Sequence, residues 1–549
     1  MNWTPSRIRT HISRAAVTAA WCVAAIATPS GAEDASARFP AIPAQGGVVL
    51  LTPDNTQALV PGQRRLARLL FPEATAPVLG AHKNGPGHQL LRRLVAAGQA
   101  AGNTGDLYEN RDRRHSRLPL DAHPQLTRVH YNEALRARGL DYGLGLTMLY
   151  DAPVIANSST AVTGGAAWRS LPRQALTTPG GAHLFYQNYA SGQIQVYPEH
   201  RDHDPERGDL LSANTPYVLI SQGSSGSDQP HLEALVMILA AFRPDTKALL
   251  RQTGLIGPTV QMVYRRARVG VRSRAAYLSG AAHPSVFRAR DIALARMVGL
   301  ANAIRPGEVP PMVRLQVLEE SGAEEGTDFF GEGLSEVLFD TPSAIARVWR
   351  SRAGRRSMVV TAADTRDPNG RDLRFDWVLL RGDPERVRIT PLTPEGRYAL
   401  IEMDWQDPVP APGTPDILSP RIDIGIFANN GIHDSAPGFV SVLLPRHETR
   451  IYDLGPDGAP QVQSIDRRAA EGVYADPRVF PVTPWRDVYR YDADNAPAGW
   501  LRHRADGMAE YDAQGHWFPD ETGAPVAAIR YAVEQVGGGV LTLREEVRN

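Results

Sequence analysis

At 549 residues the chain is too long for one hydrophobic core and implies about three domains. Its 42% hydrophobic and 21% charged residues match a folded globular protein, which argues against wholesale disorder. The formal net charge is zero, so nothing in the overall balance draws nucleic acid or an anionic membrane as partner.

The chain begins with Arg7, Arg9 and Arg14, then an almost wholly apolar run from Ala15 to Ala27, then Pro29-Ser30-Gly31-Ala32. A basic start, a short apolar core and small residues before a cut are the marks of a secretory signal peptide, here residues 1–32. An N-terminal membrane anchor is the alternative, and the run is short for a span. Cys22 lies inside the run, whereas a lipoprotein needs its cysteine after it. The mature chain then has no cysteine, which removes disulfides, thiolate metal sites and cysteine nucleophiles together. The expected destination is the periplasm or the outside, with no stable membrane insertion after cleavage.

Residues 33–350 read as an α/β domain of catalytic size. Gly47 to Leu51 is a short apolar run suited to a buried strand. Helical spacing is expected over Arg65 to Phe71 and around Leu90 to Val95, with Gly102 as a stop, and again over Tyr131 to Arg138, ending at Gly139. Leu184 to Tyr189 and Ile194 to Tyr197 flank Ala190-Ser191-Gly192-Gln193, a pattern that predicts a hairpin. Further helices are expected at Lys247 to Gln252 before Gly254, at Thr259 to Arg266 and at Ala289 to Ile304. Short strands alternating with helices imply an α/β layer architecture.

The stretch from Thr215 to Phe242 is the natural place for chemistry. Tyr217 to Ser221 predicts a buried strand, Gln222 to Ser227 a Gly/Ser turn, and Leu232, Leu235, Val236, Leu239 and Phe242 a helix. Free backbone N–H groups and the helix dipole converge at such a turn. One reading is a nucleophile elbow of the Gly-x-Ser-x-Gly type with Ser225 as nucleophile, although its last position is Ser227 rather than Gly. Ser225 then needs a histidine and a carboxylate, and His200 with Asp202 or His433 with Asp434 are the pairs available in sequence. A second reading makes the turn an anion cradle, with Asp228 or Ser227 capping the helix and Pro230 in its first turn. A third is simply a capped helix after a buried strand.

Just upstream, His200-Arg201-Asp202-His203-Asp204-Pro205-Glu206-Arg207-Gly208-Asp209 is the densest run of acids and imidazoles. Asp202, Asp204 and Asp209 are oxygen donors of the kind Ca²⁺ takes, and His200, His203 and Asp204 suit a transition ion. The spacing fits neither an EF-hand nor a zinc signature. Acid–base work by His200 or His203 beside Asp202 is the alternative use, and an exposed polar loop is the unadorned one. The polar stretch Gly105 to Ser116 contributes Arg111, Asp112 and His115, with Arg111 as a candidate anchor for an acidic substrate.

After about Ser351 the composition changes. Ser357 to Ala363, Phe375 to Leu380, Arg397 to Trp405, Arg421 to Ala428 and Phe439 to Leu444 are strand-like runs between Pro/Gly/Asp turns, spaced as in a β-sandwich over residues 351–445. Within it, Asp367-Pro368-Asn369-Gly370 and the strand Phe375-Asp376-Trp377 resemble the Asp-Pro-x-Gly turn and aromatic-x-Trp strand of polycystic-kidney-disease (PKD) type and related immunoglobulin-like modules. The resemblance covers Ser357 to Pro445 and departs where a Gly-Asp-Gly turn normally follows the Trp strand. It implies a spacer or weak binder attached to an exported protein and carries no catalytic residue. Residues 446–549 form a third, small β-rich module, in which Tyr491-Asp492-Ala493-Asp494-Asn495 and Tyr511-Asp512-Ala513-Gln514-Gly515 echo one another as hairpin turns, with Asp520-Glu521-Thr522-Gly523 as a third. Trp485, Trp500 and Trp517 are expected to supply its core, a sugar-stacking face being the alternative.

The expectation is therefore a multidomain chain: an α/β N-terminal domain, an all-β sandwich of PKD/Ig-like type and a small C-terminal β-module. It implies an exported hydrolase acting on an extracellular polymer such as an acidic polysaccharide. The alternative is a non-catalytic secreted or periplasmic protein that binds glycan or calcium.

Overall fold

The computed structural model describes residues 42–548 except 45–46, 61–63, 72–75, 114, 145–146, 164–167, 324–334, 447, 457, 459, 468–478, 481–483, 519–526 and 537–539. The signal-peptide reading, Cys22 and the turn at Asp520 to Gly523 lie outside these residues. Among those described, no helix is long and apolar enough to cross a membrane.

The N-terminal region is built on a six-stranded, wholly parallel sheet among the described residues: β1 (Val48–Leu51), β2 (Leu107–Asn110), β3 (Thr127–Tyr131), β4 (Val154–Asn157), β5 (Gln193–Pro198) and β6 (Val218–Ser221). Their order across the sheet is β6-β5-β4-β2-β3-β1. Strands β4, β5 and β6 are buried along their whole length, as expected of a parallel sheet covered on both faces. Helices α1 (Pro86–Ala96), α2 (Glu133–Ala137), α3 (Leu171–Thr177), α4 (Gly181–Ala190), α5 (Gln229–Ala241), α6 (Pro244–Thr253), α7 (Ile256–Arg266), α8 (Arg274–Tyr277) and α9 (Leu294–Ala303) surround it. Helix α5 is apolar on every side, with all residues from Ala234 to Ala241 buried. It is a central helix, which a one-sided stripe would not permit.

The chain leaves β2 towards β3 on one side and leaves β4 towards β5 on the other. The carboxyl ends of β2 and β4, where Asn110 lies in register with Asn157, therefore form a topological switch point, the usual place for a ligand in an open α/β sheet.

Several sequence expectations change. Leu184 to Tyr189 belongs to helix α4, so the expected hairpin is a helix–strand turn through Gly192, whose φ is +78°. The aromatic residues that suggest a strand instead bury Phe185 and Tyr189 against the sheet. Arg65 to Phe71 is not helical: Arg64–Ala67 pairs with Gln57–Val60 and Thr147–Tyr150, and Leu69–Leu70 pairs with Ile42–Pro43. Tertiary pairing overrides helix propensity there. Helix α1 ends ahead of Gly98, at φ +66°, and not at Gly102. Tyr131 closes strand β3, and α2 begins after Asn132, whose side chain accepts the Leu135 N–H at 3.1 Å. Helices α6 and α7 and Gly254, at φ +69° beyond α6, fall where the periodicity predicts, whereas the helix expected over Ala289 to Ile304 begins only at Leu294, after a 3-10 turn at Ala289–Asp291.

Among the described residues the second unit is built on two larger sheets: β7 (Gln316–Glu320), β10 (Arg355–Thr361), β13 (Tyr398–Asp404) and β12 (Val387–Pro391) in one, and β8 (Val337–Thr341), β9 (Ala344–Val348), β15 (Gly438–Leu443), β14 (Arg421–Asn429) and β11 (Arg374–Arg381) in the other. Met358, Val360, Ile401 and Met403 of the first sheet share a core with Ile345, Ile424, Ile426 and Val440 of the second. Strands β7 to β9 precede residue 351, so the composition change there falls inside this unit. Residues 367–371 form the expected turn: Asp367 Oδ2 accepts the N–H groups of Asn369 and Arg371, and Gly370 takes φ +71°.

The C-terminal region is a largely antiparallel sheet running from Glu448–Leu454 at one edge through Val540–Arg548 to Val479–Phe480, which pairs in parallel at the other. The echoed Tyr-Asp-Ala segments are equivalent turns. Asp492 Oδ1 accepts from Asp494 and Ala496, and Asp512 Oδ1 accepts from Gln514 and His516. Trp485 and Trp500 are buried in this module's core with Trp517 packed beside them.

Candidate functional site

Three sequence segments meet at the carboxyl edge of the parallel sheet. The segment after β2 carries Asp112, His115 and Ser116, the one after β5 carries Glu199 and His200, and the turn after β6 runs from Gln222 to Ser227. The contacts are direct: the Gly223 N–H donates to Glu199 Oε1 at 2.9 Å, the His200 N–H donates to the Gly223 carbonyl at 3.0 Å, and the Gly226 N–H donates to Ser116 Oγ at 2.8 Å. The segment after β4 closes the set. Ser159 gives both its N–H and its hydroxyl to Asp112 Oδ2, at 3.0 and 2.9 Å, and its Oγ lies 3.5 Å from His115 Nδ1.

Asp228 stands at the start of α5 but does not cap it. Its carboxylate turns to the strand ends, accepting Ser116 Oγ–H on one oxygen and Asn157 Nδ2–H at 2.6 Å on the other. Asn157 is in turn held by Tyr108, whose hydroxyl donates to Oδ1 at 2.8 Å, and by Asn110 at 3.2 Å. The strand-end amides thus fix a carboxylate delivered by a helix.

Burial pushes the Asp112 carboxyl up against the donors of Ser159, and the charge of Asp228 adds to the rise. Burial also raises Asp228, opposed by Ser116 and Asn157. Burial lowers His200 below the ordinary imidazole range despite the nearby carboxylates Asp202 and Asp228, so its neutral form prevails at neutral pH. His200 adopts φ +58°, a left-handed conformation that is uncommon outside glycine and that His, Asn and Asp take more readily than other side chains. Glu199 is buried and pushed up to about 8 by desolvation, against N–H donors from Gly223, Asp202 and His203.

The other candidates are placed differently. Ser225 is exposed on the turn, and the left-handed φ values of that turn fall on Gly223 and Gly226 rather than on Ser225. Arg111 is buried and faces away from the edge, as strand alternation requires of the residue after Asn110. It pairs with Glu109 at 3.1 Å and donates to the carbonyls of Leu140 and Gly143, which leaves it no part as a surface anchor. Asp202 is sealed between the Ser170 N–H at 2.9 Å and Arg173 at 3.0 Å. His203 and Asp209 pair across a short hairpin, Asp204 Oδ1 accepts the Arg207 N–H at 2.8 Å, and Asp209 is ion-paired to Arg381 and Arg421. Asp202, Asp204 and Asp209 therefore point to different partners and do not assemble as a calcium site; among the described residues no group of three metal-ligating side chains is present. His433 and Asp434 line a separate cavity of about 990 Å³ between α7–α9 and the two-sheet unit, none of whose lining residues belongs to the sheet edge.

Ser159, Asn157 and Asp228 are the additions of the structure. Their sequence signal is modest: Asn157-Ser158-Ser159 directly follows the apolar run Val154-Ile155-Ala156, which is where a buried parallel strand delivers its last residues to a crevice.

No family model matches the chain, and no curated protein matches it. Among solved structures, the chain has a weak similarity to a nucleoside hydrolase-related hypothetical protein from Saccharophagus degradans that is associated with carbohydrate metabolism. That similarity has 11% identity and a TM-score of 0.19, covering 53% of this chain and 71% of that one. A likeness at that level leaves the reading of the site to its own geometry.

Proposed function

We propose that the chain is an exported hydrolase of an extracellular polymer, with an acidic polysaccharide as the first substrate class to test, and that its site is the carboxyl edge of the parallel sheet. The observation that carries this reading is the convergence of Asp112, Ser159, His200 and Asp228 at the switch point from four separate segments. Hydrolysis adds water across the scissile bond: a base takes a proton from water, and an acid gives one to the leaving oxygen. Burial raises both Asp112 and Asp228 against neutral donors, and the charge of Asp228 adds to the rise at Asp112, so the two carboxyls together are suited to hold one proton for the leaving oxygen. Neutral His200 is suited to receive the proton from water. The two-sheet unit from Gln316 to Leu443 serves in this reading as a PKD/Ig-like module packed between the catalytic region and the C-terminal module.

The test is turnover of acidic and neutral polysaccharides and of ester substrates by the full mature chain, alongside Asp112→Asn, Asp228→Asn and His200→Asn. Each variant should lose roughly 100-fold or more of kcat. Fluorophosphonate labelling separates a serine mechanism: labelling abolished by Ser225→Ala or Ser159→Ala would move the nucleophile to that serine. A wild-type chain that binds glycan on the same panel but turns nothing over would instead be the non-catalytic binder. Variants that keep full activity would overturn the assignment of the edge.

A further inference from the structure

The cavity between helices α7–α9 and the two-sheet unit has a one-sided charge pattern. Five arginines line it, Arg266, Arg272, Arg274, Arg296 and Arg374, against three carboxylates, Asp376, Glu395 and Asp434. All three carboxylates are already engaged: Arg274 reaches Asp434 at 2.9 Å and Asp376 at 2.5 Å, and Arg397 reaches Glu395 at 3.7 Å. Arg266 and Arg296 have only neutral acceptors. Both donate to the Val271 carbonyl, Arg266 at 3.3 Å and Arg296 at 2.5 Å, and Arg296 also donates to the Arg268 carbonyl at 2.7 Å. Among the described residues, Arg266, Arg272, Arg296 and Arg374 have no carboxylate within ion-pair reach.

Two guanidinium groups gathered on one carbonyl, with a third close by, repel one another, and a folded chain ordinarily relieves that with a carboxylate or leaves it for an anion. The walls supply the rest of a ligand site. The Tyr277 ring lies 5.8 Å from the Arg266 guanidinium, and Leu300, Phe375 and Ile432 add apolar surface. Arg374 stands on the sheet side, opposite the arginines of the helices. A volume of about 990 Å³ is at the upper end for small-molecule sites and far exceeds what one inorganic ion fills.

We infer that this cavity binds a small polyanion of about disaccharide size, whose carboxylate, sulfate or phosphate groups meet Arg266, Arg272 and Arg296 on the helical wall and Arg374 on the sheet wall. The site is separate from the sheet edge and does not depend on the hydrolase reading.

Calorimetric titration of the full mature chain at low ionic strength tests it, using digalacturonate, a sulfated disaccharide, a nucleoside diphosphate, inorganic sulfate and neutral maltose. At least one of the three polyanions should bind and weaken with added salt, and whichever binds most tightly identifies the oxyanion source. Maltose should not bind, and inorganic sulfate should be weaker by roughly tenfold or more. Arg296→Gln should weaken binding by roughly tenfold or more, and so should Arg272→Glu, whose exposed side chain makes no hydrogen bond among the described residues. Asp228→Asn should leave it unchanged. The inference fails if no polyanion binds, if maltose or sulfate binds as well, if both arginine variants bind like wild type, or if Asp228→Asn abolishes binding and so places it at the edge.

Discussion

Asp209 offers the sharpest test of how the domains are joined. It sits on the short hairpin after β5, fully buried, and receives Arg421 at 3.1 Å, Arg381, Ser419 Oγ at 3.2 Å and the Leu211 N–H at 3.1 Å. Arg381 and Arg421 belong to β11 and β14, so this carboxylate ties the α/β region to the two-sheet unit. Asp209→Ala leaves two buried guanidinium groups facing Asp423 alone. Breaking a buried pair by removing one partner costs about 3–5 kcal/mol, because a charge is left without compensation. For a cooperative unit of about 200 residues each kcal/mol lowers Tm by about 2–4 °C, so a fall on the order of 10 °C is expected. Asp209→Asn, which keeps an acceptor oxygen but not the charge, should fall between the two. The pH dependence has a definite sign. Burial raises the Asp209 carboxyl, but Arg421 and Arg381 outweigh it and hold the group below the ordinary carboxylate range. Its contribution is therefore present above the unfolded pKa of about 4 and is lost as pH falls towards the folded value. Wild type should lose stability on acidification more steeply than Asp209→Asn. Calorimetric scans at neutral and acid pH measure both effects. An Asp209→Ala midpoint within about 1 °C of wild type would refute the view that this network joins the units.

Glu199 gives the opposite sign: its folded pKa of about 8 lies above the ordinary 4.5, so its contribution is fully present below the unfolded value and is lost as pH rises through about 8. Urea midpoints of Glu199→Gln should fall less than those of wild type across that window, and parallel profiles would count against a buried, proton-retaining Glu199. His200→Gly relieves a left-handed backbone but loses the imidazole's bonds to the Pro198 and Ser159 backbones and frees the unfolded chain, so it should change stability by less than about 1 kcal/mol while abolishing hydrolysis; a loss above about 2 kcal/mol would mean that the imidazole holds the loop. Trp500→Ala should cost about 3–5 kcal/mol in the C-terminal module, where Trp500 stacks on Tyr511 with ring centroids 5.1 Å apart. A separate early unfolding transition by tryptophan fluorescence, with hydrolysis unchanged, is the expected result.

What the sequence made legible was whatever depends on neighbours along the chain. The strand–turn–helix around Ser221 to Gln229, the strands of the two-sheet unit and the paired Asx turns at Asp492 and Asp512 are written in local periodicity and turn chemistry. The segments that went astray share a different trait. Leu184 to Tyr189 has aromatic content that suits a strand equally well, and Arg64 to Ala67 has helix formers that are nonetheless drawn into pairing with Gln57–Val60. In both cases contacts distant in sequence decided between two local options of similar energy.

The site shows the same division at the level of side chains. Sequence proximity correctly brought the His200 segment and the Gly223–Ser227 turn to one rim, because β5 and β6 are adjacent parallel strands whose carboxyl ends lie side by side. It could not say which acids remain available there. Asp202 and Asp209 stand in the most acidic run of the chain, yet each is consumed by arginine from another segment, Arg173 in one case and Arg381 with Arg421 in the other. Asp228, which local rules assign to helix capping, is instead drawn to Ser116 and Asn157 across the switch point. In a chain whose cations are nearly all arginine, an acidic cluster in the sequence is therefore a weak guide to an acidic site. The better guide is the carboxylate whose partners are neutral donors, since its proton affinity is set by burial and hydrogen bonds rather than cancelled by a fixed positive charge. By that criterion Asp112 and Asp228 qualify, Asp202 and Asp209 do not, and substitution at Asp228 should change chemistry where substitution at Asp209 changes stability.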